Sequence, residues 1–403
     1  MSITVLPAAP WRARAGLDAL CTALDGERDG ARFVGGIVRD TLLGVTAHDI
    51  DIATRLPPTE VIGRLRAAGI KAIPTGVAHG TVTAVLADGP VEVTTLRRDV
   101  ATDGRHATIA FTDDWREDAA RRDFTINALY ADPTSGAVFD YFDGLSDLAA
   151  SRVRFIGDPL RRIAEDHLRI LRFFRFLARF GDTPDPSGLA ACAARANDLM
   201  ALSRERIADE LLKLLIAERA PAIVALMIDQ GIFTPVLPEI VSATRLAHVA
   251  AVERATGLVP DPIRRLAALL PDEPALGDQL GARLKLSNAQ RKRLMSALTA
   301  EIGAPQALGY RLGLEGARDR LALRLPLTEA PTALAMLEGW QVPRLPLSGG
   351  DLVAMGLSRG PDVARALRDI EAQWVAAGFP PAERVTAIAV AVVDQALRAS
   401  TKA

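Results

Sequence analysis

Cysteine is nearly absent from this chain. Two residues in 403, Cys21 and Cys192, lie too far apart for a thiolate metal site or a redox pair. They are expected to be buried thiols in a reducing compartment. The five histidines have no metal-ligand spacing, and no His-Asp pair suggests a C-terminal phosphohydrolase domain. No uninterrupted apolar run reaches bilayer-spanning length. The first residues, "MSITVLPAAPWRARAGL", lack the apolar core of a secretory signal, so the expected compartment is the cytoplasm. Excess charge is missing too. Lys and Arg number 48 against 49 Asp and Glu, a net charge of -1, so any nucleic-acid partner has to be met by local clustering. The chain shows no fixed-period repeat and no low-complexity tract.

What is present is ample core material. Hydrophobic residues make up 49% of the chain, enough for more than one domain. Up to about Ala150, short β-like runs alternate with turns: Thr81–Ala87, Val91–Leu96 and Ala137–Phe142, punctuated by Gly89-Pro90 and Thr134-Ser135-Gly136. Helical spacing over Pro58–Ala68 interrupts them. From Asp158 onward leucine, alanine and arginine recur with helical spacing, and Pro/Gly clusters cut the helical part into segments. The pattern predicts a mixed α/β head over residues 1–150 followed by an elongated all-helical remainder.

"RFVGGIVRDTLLGVTAHDIDIAT", Arg32–Thr54, carries the first chemistry. A strand enters Gly35-Gly36, and a helix follows to Gly44. Glycines at such a turn let backbone N–H groups approach a phosphate. "DIDIAT" reads as the next strand. Its period of two places Asp49 and Asp51 on one face and sends Ile50 and Ile52 into the core. Two carboxylates on one rigid face suit Mg²⁺, which takes few protein ligands and completes its shell with substrate phosphates. With metal bound, acids that would repel a triphosphate attract it. Glu92, facing away from Val91 and Val93, is a candidate third acid or a salt-bridged strand residue.

Two later stretches add arginine. In "RRDFTINALY" (Arg121–Tyr130), Arg121 and Arg122 are able to neutralise phosphate, and Asp123 to accept from a ribose hydroxyl. "DPLRRIAEDHLRILRFFRFLARFG" (Asp158–Gly181) reads as helix from Asp158-Pro159. Arg172, Arg175 and Arg179 share a narrow arc with Arg169 beside it, opposite Ile170, Phe173, Phe174 and Leu177. Asp166 and Arg169, three apart, are neighbours on that helix. From Arg152 to Arg179 eight arginines face three acids, a local positive surface in a near-neutral chain.

In this order the motifs resemble those of the class II CCA tRNA nucleotidyltransferase and bacterial poly(A) polymerase family, within the polymerase-β-like nucleotidyltransferase superfamily. The resemblance covers nearly the whole chain and is strongest over Arg32–Leu215. It implies an α+β fold: a nucleotidyltransferase head followed by an elongated all-helical neck over 151–222 and body and tail over 223–403. It also implies that Asp49 and Asp51 hold catalytic Mg²⁺ and that Gly36, Arg39 and Arg122 contact the incoming nucleotide. "EDxxR", here Glu165, Asp166 and Arg169, implies a protein template for the base. The exocyclic amino group shared by C and A suits a carboxylate acceptor, and their ring acceptors suit arginine. Arg172 and Arg175 match positions nearer phosphate. "ALSRERIADELLKLL" (Ala201–Leu215) matches a buttressing helix with Ser203 as N-cap. Thr95–Ala119 resembles a flexible loop that accompanies completion of CCA, and His106 within it has no expected catalytic task. The Gly-rich turns of Leu347–Ile370 and the basic "ARLKLSNAQRKRL" (Ala282–Leu294) are similar to tRNA-holding elements, with helix N–H groups open to an RNA phosphate.

The expected activity is template-independent addition of CCA to tRNA from CTP and ATP. The partners are tRNA and those nucleotides, with no membrane and no obligate protein partner. A poly(A) polymerase or A-adding enzyme shares the head motifs and stays open, as does a non-catalytic RNA-binding protein of the same architecture.

Overall fold

The computed structural model describes residues 4–47, 49–102 and 107–400. They form two compact units, Met1–Val241 and Ser242–Ala403.

The first unit is built on a seven-stranded mixed sheet. Its strands are β1 (Ala31–Val34), β2 (Asp51–Thr54), β3 (Lys71–Gly76), β4 (Thr81–Leu86) and β5 (Gly89–Thr95), with β8 (Leu129–Ala131) and β9 (Val138–Asp140) completing it. The order is β3-β4-β5-β2-β1-β8-β9. All neighbours run antiparallel except β2 and β5. β4 alternates half-buried and buried residues as its sequence expects. All four β1 residues are buried, because that strand is near the middle of the sheet. Strands β6 (Arg97–Thr102) and β7 (Ala107–Phe111) pair with each other as a separate hairpin. The stretch Thr95–Ala119, expected to be a loop, is therefore mostly β structure over its described residues, with a helix starting at Trp115. Its polar residues hide the alternation, and only pairing between the two arms supplies their backbone partners. His106 falls outside the described residues.

Helices α1 (Leu17–Ala23), α2 (Gly36–Leu42), α3 (Pro58–Ala67), α4 (Trp115–Ala120) and α5 (Gly144–Ala149) accompany the sheet. Then α6 (Pro159–Glu165), α7 (Arg169–Phe180), α8 (Pro186–Ala194), α9 (Arg204–Leu215) and α10 (Ala220–Asp229) form the helical part of the unit. Asp158 caps α6, its side chain accepting from the backbone N–H of Leu160 and Arg161. Helix α7 buries Ile170, Phe173, Phe174 and Leu177, each 0% exposed. Phe173 stacks on Phe155 at 5.5 Å between ring centroids and meets Phe124 at 6.3 Å. Each such ring contributes about 1.5–3 kcal/mol by leaving water. This apolar anchor turns the arginine face of α7 the other way.

One expectation fails here. Asp158–Gly181 is two helices, not one: α6 stops at Glu165, and Asp166 adopts extended backbone, φ -152° and ψ 108°. Asp166 accepts from Leu168 N at 3.1 Å, and its carbonyl from Arg169 N at 3.0 Å. The acid folds back on the next helix start instead of continuing the turn.

The second unit is helical, from Thr244–Thr256 through Ala382–Ser400. One core gathers Leu321, Leu334 and Leu337; another gathers Ile370, Trp374 and Val385. Helices Gly349–Ala354 and Pro361–Ala376 begin at the predicted Gly-rich turns. The first is closed by its own carboxylate: Asp351 accepts from Ser348 N and Oγ, both at 2.8 Å. The Asp351 charge beside that turn would oppose an RNA phosphate there. Among the described residues no helix is long and apolar enough to cross a membrane.

Candidate active site

The two acids sit where alternation puts them. Asp51 opens β2 and Asp49 lies just before it, while Ile50 and Ile52 are 2% and 1% exposed. β5 runs parallel beside β2 with Glu92 in register with Asp51. Burial, Glu92 and Asp49 push the Asp51 carboxyl up to about 6, against the pull of Arg122. This face has more negative charge than its neighbours neutralise, and its donors are hard oxygens; both fit a divalent cation. Among the described residues no three His, Cys, Asp or Glu side chains form a ready-made metal shell. The acids offer a partial shell, as expected of a metal that also takes substrate oxygens.

Gly35 links β1 to α2 with φ 74° and ψ -124°, open to glycine alone. A Cβ there would stand 3.3 Å from Arg122 Nη1. The turn therefore brings the backbone close against Arg122, where a side chain would meet a tight contact as well as an unfavourable backbone conformation.

Beside these elements opens a cleft of about 730 Å³. Its walls include Gly36, Arg39, Asp49, Asp51, Arg122, Asp166, Arg169, Arg172 and Arg175, all expected from sequence, while Glu92 and Glu165 are not among the lining residues. Eight arginines line it against five aspartates.

Carboxylates from elsewhere in the chain hold these arginines. Asp118, 1% exposed, accepts from Arg121 Nε at 2.8 Å, Arg122 Nη2 at 3.3 Å and the Tyr130 hydroxyl at 2.6 Å. Burial alone would raise its carboxyl, but Arg122, Arg121 and Tyr130 hold it at about 2. Asp123 takes Arg172 Nε at 2.7 Å and Nη2 at 2.5 Å on Oδ2. Its Oδ1 accepts from Phe124 N at 2.9 Å and Asn127 Nδ2 at 3.1 Å. Those donors fill the four lone-pair positions, so a ribose hydroxyl would share Oδ2 with Arg172. Arg39, 4% exposed, donates to Asn127 Oδ1 and, at 2.8 Å, to Asp40 Oδ1. Asp40 Oδ2 meets Arg179 Nη2 at 3.2 Å.

Sequence reasoning missed the partners of Asp166 and Arg169. Arg206 of α9 donates to both Asp166 oxygens, at 3.1 and 2.9 Å. Arg169 is set by Glu165 at 2.6 Å and by the carbonyls of Arg162 at 2.8 Å and Arg121 at 3.2 Å. Glu210, 4% exposed and also on α9, accepts from Arg175 Nε at 2.5 Å. Ser203 occupies the N-cap position of α9 without a side-chain cap bond. The polar residues interrupting α9's apolar stripe were the available signal. The positive excess read over Arg152–Arg179 is smaller in the fold, because Asp147, Asp123, Glu210 and Asp40 come from outside that segment.

Comparison with known proteins agrees with this arrangement. Residues 31–154 match the family model described as "Poly A polymerase head domain", and residues 183–244 match "Probable RNA and SrmB- binding site of polymerase A". The human mitochondrial CCA tRNA nucleotidyltransferase 1 is 35% identical over 381 residues, covering 90% of this chain and 87% of that protein. The chain belongs to the CCA tRNA nucleotidyltransferase family. A CCA-adding enzyme of Limosilactobacillus fermentum is 32% identical, with 86% of this chain and 88% of that protein covered. The crystal structure of a Bacillus stearothermophilus CCA-adding enzyme in complex with CTP superimposes with a TM-score of 0.76 at 27% identity, covering 97% of this chain and 100% of that one. As a member of this nucleotidyltransferase family the chain is an enzyme with an α+β fold, a mixed-sheet head followed by a largely helical remainder.

Proposed function

We propose that this chain adds C, C and A to the 3′ end of tRNA, using CTP and ATP and releasing pyrophosphate. The observation that carries the reading is the convergence of all nine motif residues, from separate parts of the first unit, on one cleft. In this reading residues 1–150 carry the chemistry, 151–222 present the base-choice residues and 223–403 receive the tRNA. Free, buried Cys21 and Cys192 support a reducing compartment, which we take to be the cytoplasm.

Each group then has a task. Asp49 and Asp51 hold Mg²⁺. Bound there, the ion supplies acidity to the attacking RNA 3′-hydroxyl and neutralises charge on the leaving pyrophosphate. Arg39, Arg122, Arg172 and Arg175 bind the triphosphate and fix it in line for attack, with the Gly36 turn against it. Asp166 accepts from the exocyclic amino group of C or A, and Arg169 donates to a ring acceptor of either base. Uracil lacks that amino group and guanine presents a different edge, so each would leave a buried group unpaired. Arg206 and Glu165 prevent the pair from swinging to suit the wrong edge.

The test incubates the protein with tRNA ending at the discriminator base, with CTP and ATP separately and together. CTP alone should add two nucleotides, and both nucleotides should complete a three-residue end. Open-ended A tails without CTP incorporation would instead identify a poly(A)-adding enzyme.

A further inference from the structure

Asn127 stands between Arg39, to which the proposed function gives the triphosphate, and Asp123, which holds Arg172, and it has no task of its own so far. Arg39 offers only hydrogens, so the amide atom that meets it is Oδ1. Nδ2 then faces Asp123 Oδ1 at 3.1 Å. Asp123 is ionised, because Arg172 and Asn127 hold it at about 2 against the effect of burial, so it accepts. Turning the amide round would set donor against donor at one end and acceptor against acceptor at the other. The side chain has little room to move: Asn127 is 7% exposed, and its backbone carbonyl lies 3.5 Å from where a Cβ on Gly35 would be. A continuous path, Arg39–Asn127–Asp123–Arg172, thus runs from α2 to α7.

We propose that Asn127 is a positioning residue that sets the spacing between the α2 and α7 arginines gripping the triphosphate. The inference rests on the reading of Arg39 and Arg172 as nucleotide ligands. Asn127 suits the position because one end of its amide donates and the other accepts. An alanine abandons both contacts and leaves Arg39 with Asp40. An ionised aspartate keeps Arg39 but opposes Asp123. The charged groups around the position are Arg39 and Asp40 of α2, Arg122 and Asp123 beside the turn, and Arg172 of α7. Two carboxylates side by side there would share a proton. Once protonated, the introduced carboxyl donates O–H where the amide donated N–H and still accepts from Arg39.

The experiment measures CTP binding with Mg²⁺ and without RNA, from pH 6 to pH 8.5, for the parent, Asn127→Ala and Asn127→Asp, each read as a ratio to the parent. Melting temperatures are recorded alongside. Asn127→Ala should weaken CTP binding per folded molecule by about tenfold, the value of one charge-assisted hydrogen bond, at every pH, and should also lower the melting temperature because two buried contacts are lost. Asn127→Asp should match that loss at pH 8.5 and recover toward the parent as pH falls. Binding by Asn127→Ala within twofold of the parent overturns the proposal. So does an Asn127→Asp ratio that is flat with pH. A parent that does not bind CTP strikes the reading of the arginines instead, so the two failures are told apart.

Discussion

Arginines and carboxylates form one network around the cleft and another in the second unit, and the two end differently. In the second unit Arg264 meets Glu253 at 2.7 Å and Asp319 at 3.0 Å, and Arg265 meets Glu253 at 2.7 Å. Arg293 joins Asp319 at 2.6 Å and Asp261 at 2.9 Å. Glu253 is 2% and Asp319 0% exposed, and Arg293 also reaches Glu315 at 3.5 Å, so these arginines have no shortage of acid partners. Around the cleft the arginines are also matched by acids, once Asp118, Glu165 and Glu210 are counted with the lining aspartates, and the difference is exposure: the Arg172 and Arg179 side chains remain 31% and 45% exposed. A closed network uses up its charges on itself and fixes a packing arrangement. An open one has guanidinium groups already oriented and still able to take another anion. In the basic segment Ala282–Leu294, Arg293 belongs to the closed network through Asp319, whereas Arg291 pairs with Asp278 and stays partly exposed.

The largest test of this contrast removes the one excess of negative charge in the cleft. Asp49→Ala with Asp51→Ala should bind tRNA as the parent does but lose nucleotide transfer by roughly 10³-fold or more, since metal catalysis is worth several kcal/mol. Incorporation of labelled CTP measures this, and surviving transfer would remove the acids from the metal role.

Next in size is the closed network. Asp319→Ala leaves Arg264 and Arg293 without their shared acid and should cost about 3–5 kcal/mol of stability. Thermal melting reads the loss, while CTP binding per folded molecule should persist. A melting temperature that barely moves would show that the network is not what holds the second unit.

The third test concerns pH. Asp51 has a folded value of about 6 against an ordinary 3.8. Its charged form is therefore disfavoured by folding. The cost is absent below pH 3.8, grows as pH rises to about 6, and above that amounts to roughly 2–3 kcal/mol. Asp51→Asn should stabilise the ion-free protein by about that amount at pH 8, and the gain should shrink toward pH 4. Asp118 and Asp123, both held at about 2, act oppositely. Their contribution is complete above pH 3.8 and is lost as pH falls through 2, so parent and variant should lose stability together in strong acid. Melting curves across pH decide; an Asp51→Asn gain independent of pH would contradict the electrostatic origin.

Much of the site was legible before the fold. Alternation placed Asp49 and Asp51 correctly because a strand has one simple period and Ile50 and Ile52 mark its buried face. The arginine arc of α7 was legible because Phe173 and Phe174 mark the opposite side. The break at Asp166 was not, because a carboxylate that accepts from the backbone just ahead of the following helix has the same spacing as one inside a continuous helix. The β6–β7 hairpin was hidden by its polar composition.

By itself the sequence determined the periodic facts: which strand face carries acids, which helix face carries arginines, where helices start, and which family the motif order matches. Only the tertiary structure decided which charges neutralise which. Asp123 lies 49 residues from Arg172 along the chain, Glu210 lies 35 from Arg175, and Arg206 lies 40 from Asp166. No local period relates such positions. They meet because apolar packing brings their elements together, and once buried each charge must find a partner or remain exposed for a ligand.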